Sequence, residues 1–212
     1  MLILALPIGN ALKTVLLLAF WAVTFGRITR REGLMALLMC GFSLIDVYTI
    51  RRGTFYYVHP DIWGLAAYVP LFYAFLALHC MRLLNGPLPS TRLPWLVVLL
   101  FSIPYLITSR SDVLFWAPGA VLLLALGFFH DQDDLRYVGY MIVLGVIMEY
   151  TGVRRGQWVY PNLPAGGVPL WFIPMRGGMG LFFRRRLYPW VYPGAGEGDR
   201  SGKSSVPARA AL

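Results

Sequence analysis

The chain has 212 residues, of which 58% are apolar and only 14% charged, with a mean hydropathy of +0.60 and a formal net charge of +9. A soluble globular domain carries about 25% charged residues, so this balance excludes an ordinary water-soluble domain and predicts an all-α, polytopic membrane protein. Membrane topology and contact with anionic lipids account for the positive charge, so nucleic acid is not expected as a partner and membrane lipids are.

Seven apolar runs follow one another along the chain, at about Ala11 to Phe25, Gly33 to Ile50, Ile62 to Leu84, Pro94 to Thr108, Val113 to Phe129, Leu135 to Val153 and Gly166 to Phe183. Most approach the roughly 17 to 25 residues that a helix needs to cross hydrocarbon, and about seven transmembrane helices are predicted. The first run has no basic cluster before it and no small-x-small site after it, which argues against a cleaved secretory signal. The fourth is short and contains Pro104. Cys40 and Cys80 fall inside predicted helices at no metal-ligand spacing and are read as small packing residues. The turn His130-Asp131-Gln132-Asp133-Asp134 is read as a solvated loop that caps the next helix, in preference to a divalent-metal site. Residues 188–212 are expected to form a cytoplasmic tail, disordered because the stretch from Pro193 onward has no hydrophobic periodicity.

One pattern occurs twice. Asp46-Val-Tyr-Thr-Ile-Arg51-Arg52-Gly53-Thr-Phe55-Tyr-Tyr57 matches Glu149-Tyr-Thr-Gly-Val-Arg154-Arg155-Gly156-Gln-Trp158-Val-Tyr160 without a gap, at an offset of 103 residues. Both arginines, the glycine and the last tyrosine are identical, and after a four-residue deletion Val69-Pro70-Leu71-Phe72 lies against Val168-Pro169-Leu170-Trp171. The unit around each copy reads helix, loop, helix, aromatic loop, helix. This organises the chain as a first three-helix repeat (1–84), a connector helix (85–110), a second three-helix repeat (111–187) and the tail. An odd helix between the halves gives them the same orientation, a parallel duplication about an axis along the membrane normal.

The duplicated residues are the candidates for chemistry. Asp46 and Glu149 lie in apolar helix ends, where a carboxylate is costly unless it is paired or protonated; such a pair is suited to acid–base work, although each could instead bridge to its own arginines. Arg51, Arg52, Arg154 and Arg155 could clamp an oxyanion or extend to lipid headgroups. Phe55, Tyr57, Trp158 and Tyr160 sit where an aromatic belt anchors the protein, and their faces would also stabilise a carbocation. Arg176 is deep in the last apolar run, where a basic residue normally faces a partner, with Glu149 or Asp46 the expected one. Pro174, Gly177, Gly178 and Gly180 around it allow bending and close packing. His79 has no visible companion, while His59 and Asp61 lack counterparts in the second copy. No nucleotide loop, metal motif or nucleophile elbow is present in the sequence, so neither a metal nor a cofactor is expected.

Counting Lys and Arg with the C-terminus inside puts Arg27, Arg30, Arg31, Arg82, Arg92, Arg136, Arg184, Arg185, Arg186, Arg200, Lys203 and Arg209 on the cytoplasmic side; Arg110 and the four repeated arginines fall opposite. The expected location is thus a bacterial cytoplasmic (inner) membrane, with the N-terminus out.

The stretch from Glu149 to Trp171, Glu-x-x-Gly-x-x-x-Gly-x-Trp-x-Tyr followed by Gly-Val-Pro-Leu-Trp, resembles a motif of membrane-embedded carotenoid-biosynthesis hydratases of the bacterioruberin type. A looser likeness, of architecture only, links the chain to heptahelical lycopene and meroterpenoid cyclases, whose Pro-x-Glu-Glu signature is absent here. The resemblance implies acid-catalysed chemistry on an isoprenoid: Glu149 or Asp46 protonates an alkene, and water or a second double bond captures the cation. A small-solute carrier with a pseudo-symmetric polar site is the competing class, and an accessory subunit of a membrane complex is a third. The carrier predicts a polar path continuing to the cytoplasmic side. The sequence is silent on oligomeric state.

Overall fold

The computed structural model describes residues 2–129, 131–163 and 166–195. His130 and the expected disorder of the tail beyond residue 195 lie outside them. The fold is all-α apart from one two-residue β pair. Its helices are α1 (Leu2–Ala5), α2 (Asn10–Phe25), α3 (Arg30–Phe42), α4 (Leu44–Arg51), α5 (Val69–Leu83), α6 (Trp95–Ile107), α7 (Ser111–Phe128), α8 (Gln132–Arg154), α9 (Phe172–Phe182) and α10 (Tyr188–Val191); a π-helical turn, Phe183–Leu187, joins the last two. Strands β1 (Tyr56–Tyr57) and β2 (Trp158–Val159) pair antiparallel. Arg30–Arg51 and Ser111–Phe128 are long and apolar enough to cross a bilayer, while α2, α5 and α6 are apolar but shorter.

Several boundaries differ from the sequence expectation, among them the last run, expected from Gly166, whose helix begins only at Phe172. Residues 62–68 are not helical: Asp61 accepts hydrogen bonds from the Ala67 N–H and from Asn10, and the tight turn Ile62–Leu65 holds Trp63 and Gly64 at positive φ. The second apolar run breaks at Ser43, whose hydroxyl donates to the Cys40 carbonyl at 2.7 Å and so competes with the helical ladder. Residues 188–191, expected in the tail, form a helix with Tyr188, Pro189 and Val191 buried, because this face covers the core.

The core lies where α3 packs on α5 and α8 packs on α9, with α7 against α9 and the connector α6 against α7. Small residues set these distances. A Cβ on Gly180 would come within 2.6 Å of the Tyr137 carbonyl, and one on Gly177 within 2.7 Å of Leu122, so α9 can approach its neighbours only with glycine there. Outward faces carry unpartnered leucines and aromatics, among them Leu37, Leu96, Leu123 and Phe128.

The two motif copies lie against each other. Tyr56 pairs with Val159, which the 103-residue offset makes equivalent positions, so a local two-fold axis passes through that pair. The backbone before each strand is closed in the same way. Gly53 at φ +74° donates to the Ile50 carbonyl and Thr54 to Thr49; Gly156 at φ +62° donates to Val153 and Gln157 to Gly152. Both are Schellman caps, which need a residue with positive φ just past the helix and so explain why glycine recurs there.

A second matched pair, invisible in the sequence, closes the opposite end of the helices. Thr29 caps α3 reciprocally with Glu32, and Asp131 caps α8 with Asp134. Each second carboxylate grips an arginine in a two-pronged fork: Arg82 on Glu32 at 2.8 and 3.0 Å, Arg185 on Asp134 at 2.9 and 2.5 Å. Each arginine also donates to the carbonyl of a phenylalanine at the end of the preceding helix, Phe25 as the last residue of α2 and Phe129 just past α7, and lies over its ring. The acidic turn thus caps α8 and also binds Arg185, while Arg184 reaches Asp133. Arg184 and Arg185, expected on the cytoplasmic side, are each only 2% exposed because these carboxylates draw them inward.

Candidate functional site

Between α4, α5, α6, α8 and α9 lies a cavity enclosing about 1220 Å³ of empty space, its mouth included. Asp46 projects into it from the first turn of α4 and Glu149 from the last turns of α8. Of the other sequence candidates, Phe55, Tyr57, Trp158, Tyr160 and Arg176 also line it.

The two carboxylates have different company. Glu149, 3% exposed, accepts from the Arg176 guanidinium at 2.9 Å, the Trp158 indole N–H at 3.0 Å and the Tyr160 hydroxyl at 2.7 Å. Asp46 is half-buried against the cavity and accepts from the Tyr73 hydroxyl at 3.0 and 3.1 Å. Among the described residues no cation lies within ion-pair distance of it. In the first copy Phe55 stands where the second has Trp158 and so has no N–H to offer, and Ala77 stands where the second has Arg176.

Arg176 is held by α8 as well as by its ion pair. Its aliphatic stem crosses Gly145, where a Cβ would fall 2.4 Å from it, and its Nη atoms contact the sulfurs of Met179 and Met148. Its buried Nε has no partner among the described residues, which leaves a donor for a ligand oxygen. Trp158 likewise rests on Gly152, where a Cβ would meet the indole at 2.0 Å. The larger aromatic of the second copy is thus accommodated by glycine where the first copy has Thr49.

The rings form a continuous wall: Phe55 against Tyr57 and Tyr160, Tyr57 edge-on to Trp158, Tyr160 to Trp171 and Trp171 to Tyr105, with centroids 5.5 to 6.2 Å apart. Burial and the neighbouring Asp46 carboxylate push the Tyr57 phenol well above its ordinary pKa, and burial with Glu149 does the same to Tyr160. Both stay neutral hydrogen-bond donors near pH 7.

The four repeated arginines do not belong to this cavity. Arg51, Arg52, Arg154 and Arg155 are all exposed, which excludes a clamp inside the site. The reason is helical geometry: positions five and six beyond a carboxylate lie about 140° and 240° around the helix from it. Arg52 instead donates to the Leu106 and Ile107 carbonyls and closes the end of α6.

Two buried polar residues, Tyr73 in the cavity and Lys13 outside its lining, carried no repeat signal. Tyr73 aligns with Phe172 and so looks like an ordinary core aromatic. Lys13, buried at 2% exposure, donates from Nζ to Gln157 Oε1 and lies 5.6 Å from the Tyr68 ring centroid, beside the aromatic loops. Its one sequence signal was a lysine inside an apolar run. His79, read as companionless, is 2.7 Å from the Tyr140 hydroxyl and stacked on Phe75, outside the cavity. His59 and Asp61 are exposed in the first loop. No group of His, Cys, Asp and Glu among the described residues could hold a metal ion.

Compared with protein-family models, characterised proteins and solved structures, the chain matches none of them.

Proposed function

We propose that the chain is an integral membrane enzyme that performs carboxylate-mediated acid catalysis on an isoprenoid or similar lipid alkene, as a hydratase or a cyclase. The observation that carries this reading is the unequal pair of carboxylates on one aromatic-walled cavity: Glu149 tied to Arg176, Asp46 held by phenol hydroxyls with no ion pair among the described residues. The Glu149 oxygens are occupied by a guanidinium, an indole and a phenol, whereas Asp46 faces the open cavity and can present a proton to a bound alkene. Asp46 is therefore the general acid. It delivers its proton to one alkene carbon, leaving a carbocation on the other, which the faces of Phe55, Tyr57, Trp158 and Tyr160 and the fixed charge of Glu149 stabilise. In a hydration, water adds to the cation and its surplus proton returns to the Asp46 carboxylate. In a cyclisation, a second double bond attacks and a neighbouring carbon loses the proton to the same group.

The membrane setting rests on Arg30–Arg51 and Ser111–Phe128, which have the length and composition to span, and on the apolar outer faces. The other apolar helices complete about seven crossings in two parallel three-helix repeats joined by α6, with the fork-and-cap ends as further matched positions. With Arg184 and Arg185 neutralised inside, the inward orientation rests on exposed Arg27, Arg30, Arg31, Arg92 and Arg136 together with the tail. A bacterial inner membrane is the expected location. A solute carrier is less well supported, since the space beyond the carboxylates is lined almost wholly by apolar side chains.

The test is expression of wild type, Asp46→Asn and Glu149→Gln at matched membrane levels in a host that makes lycopene and other isoprenoids, with lipid extracts compared by mass spectrometry. A product heavier by one water, or an isomer of equal mass and altered absorption, made by wild type and lost in Asp46→Asn, supports the reading. A product undiminished in Asp46→Asn removes it.

A further inference from the structure

A second chamber adjoins the first. It encloses about 600 Å³, openings included, and shares Phe42, Phe101, Ser102 and Met179 with the carboxylate cavity. It lies further from the motif along the helices that border both: from Ser102 back through α6 to Leu93 just before it, from Met179 on α9 to Phe183 in the π-helical turn, and on α3 from Phe42 back to Met39. From Tyr105 in the first chamber to Leu93 in the second the path runs about 18 Å along the helix direction. Ser102 supplies the one polar side chain of the second lining. Space of this kind stays dry unless an apolar group fills it.

Phe101 stands at the junction, and its ring rests on the bare backbone of Gly178, where a Cβ would fall 2.0 Å from the ring. Glycine there lets the ring lie back against α9. Polar chemistry on one side of a single ring and an apolar chamber on the other describe the two ends of one amphiphile. Among the described residues, the chamber's other face meets no hydrogen-bonding side chain that a sugar, nucleotide or second headgroup would use.

Resting on the proposed acid chemistry, we infer that the second chamber is the tail subsite of a linear, single-chain isoprenoid whose reacting double bond lies at Asp46, with Phe101 as the residue that gates chain length. Phe101 is a specificity residue, since it touches the substrate without reacting. Chains that end before the junction are held by the first chamber alone; longer ones must pass Phe101.

The experiment uses the full chain purified into lipid nanodiscs and photolabelled with two probes, geranylgeraniol and geraniol analogues carrying a diazirine at the end remote from the hydroxyl. The long probe should form adducts on Val97, Val98, Val121 or Leu181, displaced by unlabelled geranylgeraniol, and the short probe adducts around the first chamber. Phe101→Trp should lower the long-probe adducts by about tenfold relative to the short-probe adducts, and short-probe adducts that persist around the first chamber show that the variant is folded. Phe101→Ala should keep or increase the long-probe adducts. Long-probe adducts on the outward Leu96 and Leu99, unchanged in Phe101→Trp, overturn the subsite. Labelling needs no turnover, so a protein that labels as described but yields no product overturns the acid chemistry and leaves the subsite standing.

Discussion

The two copies of the carboxylate motif share backbone, cap and strand pairing, yet they hold their acids differently. In the second copy Glu149 receives an indole, a phenol and a guanidinium; in the first, Asp46 receives the Tyr73 phenol and faces open space. A few substitutions account for the divergence: Trp158 for Phe55, Arg176 for Ala77, and Gly152 for Thr49 to seat the larger ring. The two motifs present two acids in one geometry, and their partners separate a member fixed in an ion pair from one that faces open space. Two identical copies would place two like charges on one cavity and resist ionisation of both.

This contrast can be broken in order of expected effect. Asp46→Asn should lower product formation by about 10²- to 10⁴-fold, the usual contribution of a general acid, while leaving thermal stability in detergent nearly unchanged; a large loss of stability instead would make Asp46 structural. Glu149→Gln and Arg176→Met should each destabilise by about 3–5 kcal/mol, because each strands the buried partner. The double variant Glu149→Leu with Arg176→Met should recover much of that loss, and thermal unfolding of the three proteins checks it. Gly152→Ala should cost about 1–3 kcal/mol through the clash with Trp158, whereas Thr49→Ala at the equivalent position should cost clearly less; equal effects would deny that the indole needs the glycine. Smallest of all, Arg51→Gln and Arg154→Gln should change stability by no more than about 0.5 kcal/mol and leave turnover intact. A strong loss of activity in either would restore a role for the exposed arginines.

The ends of the helices teach a related lesson. The fork of Arg82 on Glu32 and that of Arg185 on Asp134 use the same contacts, but they align at an offset different from the one that relates Phe72 to Trp171. The longer final segment shifts the register by four residues, and the π-helical turn Phe183–Leu187 lies where this shift is taken up. Arg82 and Arg185 keep the motif's own 103-residue offset, whereas their acids Glu32 and Asp134 are 102 apart, so a comparison by a single offset matches the arginines and sets the acids one residue out of register. Arg184 and Arg185 read only as cytoplasmic charges because nothing local to the Arg-Arg-Arg run announces Asp133 and Asp134, some 50 residues earlier in the sequence.

What the sequence determined by itself was the helical class, the positions of the apolar segments to within a few residues, the glycine that ends each motif helix, and the group of acids and aromatics that proved to share a cavity. Composition and local caps act over one or two helical turns, so they are legible without a fold. Tertiary structure alone decided which side of each helix faces inward, which acid received the arginine, that Tyr73 joins the site and Lys13 is buried against Gln157, and that the repeated arginines stay outside the cavity. In helices apolar all round, periodicity does not mark the inner face, and the partners come from distant segments: 27 residues separate Asp46 from Tyr73 and Glu149 from Arg176, and 144 separate Lys13 from Gln157. Only packing brings such groups together, because the cost of burying each one is met by another that the local sequence does not contain.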